Sequence, residues 1–224
     1  SEERWGEYRR GEVVMCALTA DGVGRFRVFA ERVGVVDVVV FRPIGDRYFD
    51  WASTGLPESV SQLSKIKSGS ILFVSGSCIS GRTTTVARLV RGMTREDCAH
   101  VVMVEKCPEF EFEVEDVMVT RFRKQGENEG ALSAICAMGP EVVVIDEIEG
   151  ASDLDMCISL AENGAYVIAV AQGATTLHML DRLLDSAPEG EEESLRYRLS
   201  LVFGGCVAQV SAMKKGGGER VVAS

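Results

Sequence analysis

Two patterns of hydrophobic and polar positions divide the chain. From Glu12 to Ile44, apolar and polar residues alternate in short stretches bounded by Gly, Asp or Pro, which predicts a small antiparallel β-sheet. From Ser70 onward, uninterrupted apolar runs alternate with amphipathic stretches. The runs lie at 71–75, 100–105, 116–122, 141–147, 165–171 and 206–212. Runs of this kind separated by helices are typical of strands buried on both faces, so the second part predicts an α/β fold with a mainly parallel sheet.

The segment between these two parts combines loop signals with a short helical pattern. Residues 45–69 begin with loop signals and continue as PESVSQLSKI, whose apolar spacing favours a short helix with Pro57 in its first turn. The simplest interpretation is a linker followed by a docking helix. The sequence therefore predicts three parts, at residues 1–44, 45–69 and 70–224.

Composition narrows the classes of function. The formal net charge is −10, which disfavours nucleic acid as the main ligand because phosphate contacts need clustered Lys and Arg. No apolar run is long enough to cross a bilayer. The seven cysteines are irregularly spaced, which indicates reduced thiols and no metal cluster. The opening SEERWGEYRR has no apolar core and does not resemble a signal peptide, so we expect a cytoplasmic location.

A glycine-containing loop follows the first apolar run. The chain there reads GSCISGRTT, which has the spacing GxxxxG followed by Arg and Thr, and a helical pattern begins at once. Glycines at this spacing let successive backbone N–H groups surround a phosphate chain at a helix N-terminus. The candidate phosphate-binding residues are Gly76, Ser77, Cys78, Ile79, Ser80, Gly81, Arg82, Thr83 and Thr84. The alternative is a strand-to-helix turn that binds nothing.

A second acidic motif supports the first. The run EVVVIDEIE ends an apolar strand in Asp146 and Glu147, as a Walker B strand does. In such a strand one acid holds Mg²⁺ through water and another activates the attacking water. We therefore expect Thr83 and Asp146 to organise Mg²⁺ and the Glu147 carboxylate to activate the attacking water. The alternative is that acids end buried strands for solubility alone.

With these motifs in place, the chain resembles the PilT/GspE class of type II secretion, type IV pilus and related traffic ATPases. The segments that carry the resemblance, in order, are GRFRVFAE, TGLPESVSQLSKI with the glycine loop, HVVMVEKCPEFEFE, ALSAICAMGPEVVVIDEIE, ENGAYVIAVAQGATTLHMLDRLLD and the tail from RYRLS. The resemblance implies a RecA-like P-loop core at 70–224, preceded by a partial N-terminal domain at 1–44. It further implies ATP and Mg²⁺ at the subunit junctions of a homo-hexamer or mixed ring.

The same resemblance assigns further residues to the site. Arg25, Arg27 and Arg42 occupy positions from which N-terminal-domain arginines approach the phosphates, although Arg27 could equally be a solvated strand arginine. Glu105 and Glu109 match acids of the family's Asp box, and both are candidate catalytic residues. Gln172 aligns with the histidine of the His box, and an amide can still donate a hydrogen bond to phosphate without supplying charge.

Several positions depart from the family pattern, and most of them remove positive charge or add negative charge. Arg82 replaces the P-loop lysine with a bulkier planar group. Elsewhere a residue of less positive or more negative charge stands in the expected place at Asp146, Glu149, Gln172, Ser133 and Ala137, while Lys106 replaces an acid. Catalysis of phosphoryl transfer depends on positioning and on neutralising developing charge, so we expect hydrolysis to be slow or absent.

Three hypotheses follow. The first is a motor ATPase that couples ATP binding and weak hydrolysis to pilus retraction or secretion, acting on an inner-membrane platform protein from the cytoplasmic face. The second is a non-hydrolysing nucleotide-binding or scaffold subunit of such a complex. The third, a RecA-like ATPase that acts on DNA, is disfavoured by the acidic charge balance. No direct insertion into the membrane is expected.

Overall fold

The computed structural model describes residues 2–44, 56–65, 67–78, 80–93, 99–107, 109, 117–123, 128–213 and 220–223. The chain forms two units. The first comprises Ser1–Arg47 and Lys106–Glu111, and the second comprises Tyr48–Glu105 and Phe112–Ser224. Each unit is treated by itself below, and the three-part division expected from the sequence stays a prediction.

The first unit is a three-stranded antiparallel sheet with a short helix, α1 (Glu2–Arg9), before it. Its strands β1 (Val14–Ala20), β2 (Gly24–Val33) and β3 (Val36–Ile44) pair in sequence order. β2 and β3 are joined by a two-residue loop that follows the pair Val33 and Val36, and Gly34 in that loop has φ +65°. This left-handed conformation suits glycine in tight hairpins. The small antiparallel sheet predicted from the alternating pattern is confirmed, whereas α1 had no sequence signal that we recognised.

The second unit is a seven-stranded sheet with helices packed on it. The sheet order is β10-β9-β4-β8-β7-β5-β6; the strands β4 to β9 run parallel to one another, and β10 is antiparallel to β9. The strands are β4 (Ser70–Gly76), β5 (His100–Glu105), β6 (Met118–Arg123), β7 (Val142–Ile148), β8 (Tyr166–Gln172), β9 (Phe203–Met213) and β10 (Arg220–Ala223). The helices are α2 (Arg82–Arg91), α3 (Asn128–Met138), α4 (Ala151–Glu162), α5 (Thr176–Leu184) and α6 (Glu192–Val202).

The core of the second unit lies on both faces of this sheet. In β4, Ile71 and Phe73 belong to the cluster packed against α4 and α6, whereas Leu72 and Val74 belong to the cluster packed against α2. All four side chains are almost fully buried. A strand covered on both faces has no reason to alternate apolar with polar residues, which explains the uninterrupted runs. The predicted α/β class with a mainly parallel sheet is confirmed.

The predicted docking helix forms, but as a 3₁₀ helix over Glu58–Ser64. Two of its serines donate side-chain hydrogen bonds to carbonyls three residues earlier, from Ser61 to Glu58 and from Ser64 to Ser61. Such local bonds compete with the α-helical pattern and favour the tighter turn in a short segment. Val60 packs in the α2 cluster, and the buried Tyr166 hydroxyl donates to the Leu63 carbonyl at 2.9 Å. Burial raises the pKa of Tyr166 to about 12, so this hydrogen bond persists across the neutral range.

The helices and the cysteines of the described ranges have two further properties. No helix there is both long enough and apolar enough to span a bilayer. Six of the seven cysteines lie in the described ranges, and all six are free thiols: Cys16, Cys78, Cys107, Cys136, Cys157 and Cys206.

An arginine on α6 ties that helix to α4. Arg198 donates two hydrogen bonds to the Glu162 carboxylate, at 3.0 and 2.7 Å, and also bonds Asp155 and Ser159. The Arg198 guanidinium lowers the pKa of the Glu162 carboxyl, mainly through these hydrogen bonds. A bidentate arginine pair is one of the few surface arrangements that contributes measurably to stability.

Replacing Arg198 by methionine should therefore lower the free energy of unfolding by about 1 kcal/mol at neutral pH, a value reduced by the partial exposure of the pair. Because the folded-state pKa of Glu162 is depressed, this contribution is complete above the ordinary glutamate pKa and is lost as the pH falls through the depressed one. Urea titrations of both proteins at neutral and acid pH would measure it. A difference that does not shrink in acid would mean that Arg198 acts through the packing of its alkyl chain.

Candidate phosphate-binding site

The glycine loop lies between β4 and α2, at the carboxyl end of the parallel sheet. β4 ends at Gly76 and α2 begins at Arg82, immediately after Gly81. Gly81 has φ +92°, a left-handed conformation that glycine adopts without a steric penalty. No side chain caps the helix N-terminus, so its free backbone N–H groups and its positive dipole end face the loop. The first turn of α2 contains no acidic residue that would oppose an anion.

Gly76 is held in a space that admits no side chain. A Cβ atom at this position would lie 2.3 Å from the Ser80 Oγ and 2.5 Å from the backbone carbonyl oxygen of Gln209. In the sheet register Gly76 lies between Gln172 on β8 and Gln209 on β9. The first glycine of the motif is therefore required by close approach of neighbouring backbone, which the sequence motif alone could not establish.

The polar atoms of the loop have unused hydrogen-bonding capacity. The Ser80 Oγ and the Arg82 Nη1 are both buried, and neither has a hydrogen-bond partner in the described part of the chain. Ser77 and Cys78 are exposed, and Thr83 and Thr84 are half-buried at the start of α2. Ile79 was also predicted to line the phosphate and lies outside the described residues. Buried donors without partners are costly, so this loop is suited to receive a ligand rich in acceptor oxygens.

The acidic residues predicted at the end of β7 lie in a bulge. The register with β8 shifts between Ile145 and Ile148, which oppose Ala169 and Ala171, so that the intervening Asp146 and Glu147 interrupt the regular ladder. Glu147 has φ +62°, the single positive value among non-glycine residues in the described ranges. Bulges and left-handed non-glycine residues cluster at functional sites, where they re-aim side chains. Here the bulge displaces two carboxylates from the alternation of a regular strand.

Glu147 contacts the residue that aligns with the His box. The Gln172 side-chain amide donates to the Glu147 carboxylate at 2.8 Å, and Arg182 on α5 donates to the backbone carbonyl of Gln172 at 3.1 Å. The Nε of Arg182 is buried without a hydrogen-bond partner in the described ranges. Sequence reasoning missed Arg182, since a single arginine on an amphipathic helix gives no signal until the fold places it beside Gln172. Arg182 places a cation beside Gln172, where the family resemblance predicts less positive charge than in the family pattern.

The two acids assigned to the Asp box have separate arginine partners. Glu105, the last residue of β5, is buried and accepts a hydrogen bond from Arg121 on β6 at 2.8 Å. Glu109 belongs to the first unit and forms an ion pair with Arg27. Each of these two carboxylates is therefore already bound by an arginine. Their predicted catalytic role stays a prediction.

The three arginines predicted to approach the phosphates all lie on the antiparallel sheet of the first unit. In its register, Arg27 on β2 lies opposite Arg42 on β3, and Arg25 lies opposite Ile44. The ion pair with Glu109 gives Arg27 a partner inside its own unit, which is neither of the two roles considered from the sequence. The role of all three at the phosphates stays a prediction.

In the second unit, several predicted site residues lie at the carboxyl end of the parallel strands. The carboxyl ends of β4, β7 and β8 bring the loop, Glu147 and Gln172 to the same side of the unit. Thr83 supplies a hydroxyl and Asp146 a carboxylate, which are oxygen ligands of the kind that Mg²⁺ prefers. No group of three or more metal-ligating side chains occurs within the described ranges. The oxygen atoms of these two residues are of the chemical class that Mg²⁺ takes together with phosphate and water, and their predicted metal role stays a prediction.

Comparison with known proteins decides the family. The family described as "Type II/IV secretion system protein" matches residues 53–204. The chain belongs to this family. This match confirms the resemblance found in the sequence. The members most relevant here include the type IV pilus retraction ATPase PilT of Pseudomonas aeruginosa, 26% identical over 90% of this chain, and a twitching motility protein of Neisseria gonorrhoeae, 24% identical over 96%. The chain spans 59% and 58% of the length of these two relatives.

Solved structures agree on the fold of this secretion-system family member. A crystal structure of the pilus retraction motor PilT with bound ADP has a TM-score of 0.84 at 24% identity, covering 99% of this chain and 65% of that one. The Legionella pneumophila ATPase DotB has a TM-score of 0.81 at 17% identity, covering 97% of this chain and 63% of that one. The α/β core with its parallel sheet, and the antiparallel sheet that precedes it in the chain, are shared with these proteins.

Proposed function

We propose that this chain binds ATP with Mg²⁺ at the loop from Gly76 to Thr84 and serves as a motor subunit of a type IV pilus or type II secretion-like machine. The single observation that carries the proposal is the loop itself. Its glycine has no room for a side chain, its helix N-terminus has no side-chain cap, and the Ser80 Oγ and the Arg82 Nη1 are buried donors without partners in the described residues. Phosphate oxygens satisfy such donors, and the relative PilT has been crystallised with ADP.

Arg82 and the backbone amides supply the attraction for phosphate. The guanidinium carries a positive charge and presents a planar fork, which suits two oxygens of one phosphate. It is less suited than an ammonium to bridging two phosphates as a point charge. Binding is therefore expected to survive the replacement of lysine, whereas positioning of the terminal phosphate is expected to suffer.

Hydrolysis would depend on Glu147 and Gln172. The Glu147 carboxylate can accept a proton from an attacking water, and the Gln172 amide, already bonded to it at 2.8 Å, fixes its orientation. A neutral amide cannot neutralise charge that develops on phosphate, as a protonated histidine could. Mg²⁺ would supply charge neutralisation when bound, held by Thr83 and, through water, by Asp146. We therefore expect slow turnover that still requires the Glu147 carboxylate.

The second candidate is a subunit that binds nucleotide without hydrolysing it. It is favoured by the ion pairs that engage both candidate Asp-box acids, Glu105 with Arg121 and Glu109 with Arg27. An arginine that binds a carboxylate occupies oxygen atoms with which a catalytic residue would contact water or substrate. In this role nucleotide would order the chain as a structural or regulatory member of the complex.

Turnover of Mg²⁺-ATP by three purified proteins tests both candidates. The wild-type chain should hydrolyse ATP slowly, Arg82→Lys should raise the rate by about tenfold by improving phosphate positioning, and Glu147→Gln should abolish it. Wild-type turnover no greater than that of Glu147→Gln would leave the second candidate. If a labelled nucleotide fails to bind at millimolar concentration with Mg²⁺ present, both candidates are wrong.

The assembly and location are proposed on the same basis. We infer a homo-hexameric or mixed ring with nucleotide at the subunit junctions, in the cytoplasm or at the inner face of the membrane, in contact with a platform protein of the machine. The positions of Arg25, Arg27 and Arg42 support this arrangement through the family resemblance. Native mass spectrometry with and without Mg²⁺-ADP would measure the number of subunits in the assembly. The net charge of −10 argues against nucleic acid as a ligand.

A further inference from the structure

Beside the phosphate loop lies a glutamine whose side chain has no hydrogen-bond partner among the described residues. Gln209, on β9, is 0% exposed, and neither its amide nitrogen nor its amide oxygen has a hydrogen-bond partner in the described part of the chain. A buried amide can make several hydrogen bonds, and leaving it with none is strongly unfavourable compared with an apolar side chain of the same size. Folding alone therefore gives no reason for glutamine at this position.

The place of Gln209 in the sheet relates it to the loop. It lies opposite Gly76, and its backbone carbonyl oxygen is one of the two atoms that exclude a side chain from that glycine. Val207, two residues earlier on β9, packs in the cluster that contains α2 residues. Because side chains two apart on a strand share a face, the Gln209 amide lies on the α2 side of the sheet.

A second polar atom at the same place is also without a partner. Ser80 is 1% exposed, its Oγ makes no hydrogen bond within the described ranges, and this Oγ is the other atom that crowds Gly76. Two residues that both crowd Gly76 thus have side-chain polar atoms without partners in the described ranges, which points to a loop arrangement completed only when ligand is bound. The opposite neighbour of Gly76, Gln172, already has the Glu147 carboxylate as its partner.

We infer that Gln209 is a positioning residue for nucleotide binding. Its buried amide forms hydrogen bonds to the phosphate loop, Ser80 included, when the loop closes on phosphate. It thereby links the nucleotide to the β9–β10 edge of the sheet. Gln209 acts through the loop and not on the reacting atoms. This inference rests on the proposed nucleotide-binding function.

Gln209→Met tests it, since methionine has similar length and no hydrogen-bonding amide. Without nucleotide, the variant should melt at the same temperature as wild type or higher, because an unsatisfied amide has been removed from the core. The dissociation constant for Mg²⁺-ADP, measured by isothermal titration calorimetry, should rise by about tenfold, the loss of roughly one hydrogen bond. A residue that only supports the fold would show the reverse pattern, with a lower melting temperature and unchanged affinity.

Ser80→Ala and the double variant extend the test, and Gln62→Met on the exposed side of the 3₁₀ helix is the matched control. If both residues serve one loop arrangement, the double variant should lose no more affinity than the weaker-binding single variant. Fully additive losses, or an unchanged affinity in Gln209→Met while wild type binds, would overturn the inference and leave the proposed function standing. If the wild-type chain binds neither Mg²⁺-ADP nor Mg²⁺-ATP, the proposed function fails first and this inference fails with it.

Discussion

Gly76→Ala is expected to abolish nucleotide binding and to lower the free energy of unfolding by about 1–3 kcal/mol, the usual cost of overpacking. The added methyl group would lie 2.3 Å from the Ser80 Oγ and 2.5 Å from the Gln209 carbonyl oxygen, and the second of these is backbone of the neighbouring strand. The loop would have to move away from β9, which displaces the amides that bind phosphate. Calorimetric titration with Mg²⁺-ADP and urea denaturation would measure the two effects.

Gly130→Ala provides the matched control in the same unit. Gly130 lies in α3 with nothing within 4 Å of an added Cβ and no positive φ. Alanine there should raise the unfolding free energy by about 0.5–1 kcal/mol through its better helix propensity and should leave nucleotide affinity unchanged. Equal affinity for ADP in Gly76→Ala and wild type would contradict the placement of the phosphate site at this loop.

Glu147→Gly should stabilise the protein while it removes whatever hydrolysis the wild-type chain has. Glu147 has φ +62°, and relieving a left-handed non-glycine residue gains about 1 kcal/mol after the entropic cost of glycine is subtracted. The lost carboxylate removes the proposed base, and turnover should fall by at least about a hundredfold. Thermal unfolding measures the expected rise in stability, and steady-state turnover of the same preparation measures the expected fall in hydrolysis.

Two further variants separate the backbone from the carboxylate. Glu147→Ala removes the carboxylate, so its turnover should fall as in the glycine variant. Because alanine keeps the strained backbone conformation, the melting temperature should not rise. Glu149→Gly, two residues on and without a positive φ, should not raise stability, because it relieves no left-handed conformation and adds backbone freedom. A glycine variant that is less stable than the alanine variant would show that the bulge is not strained.

The sequence was sufficient wherever a structural choice is local or periodic. Uninterrupted apolar runs predicted the parallel strands, since only strands covered on both faces need no polar alternation. The turn from Gly76 to Arg82 was predicted because glycine spacing and a following helix are properties of adjacent residues. Where the prediction differed, the reason was a local competition: Ser61 and Ser64 bond back to carbonyls, and the expected helix becomes 3₁₀.

The candidate site required the tertiary structure because its decisive contacts join residues far apart in the chain. Gln172 meets Glu147 across neighbouring strands, and Arg182 meets the Gln172 carbonyl from a helix. The partners of the Asp-box acids, Arg121 for Glu105 and Arg27 for Glu109, were not assigned from the sequence. The sequence spacing of these pairs gives no signal that their members are in contact.

The sequence by itself thus determined the α/β class and the order of the motifs, because both depend on residue type and local spacing. Only the tertiary structure decided that Glu147 lies strained in a bulge, that Gly76 is crowded by Ser80 and Gln209, and that the Gln209 amide is buried without a partner in the described ranges. Burial and close approach are properties of the packed chain, and they arise only when strands distant in sequence become neighbours.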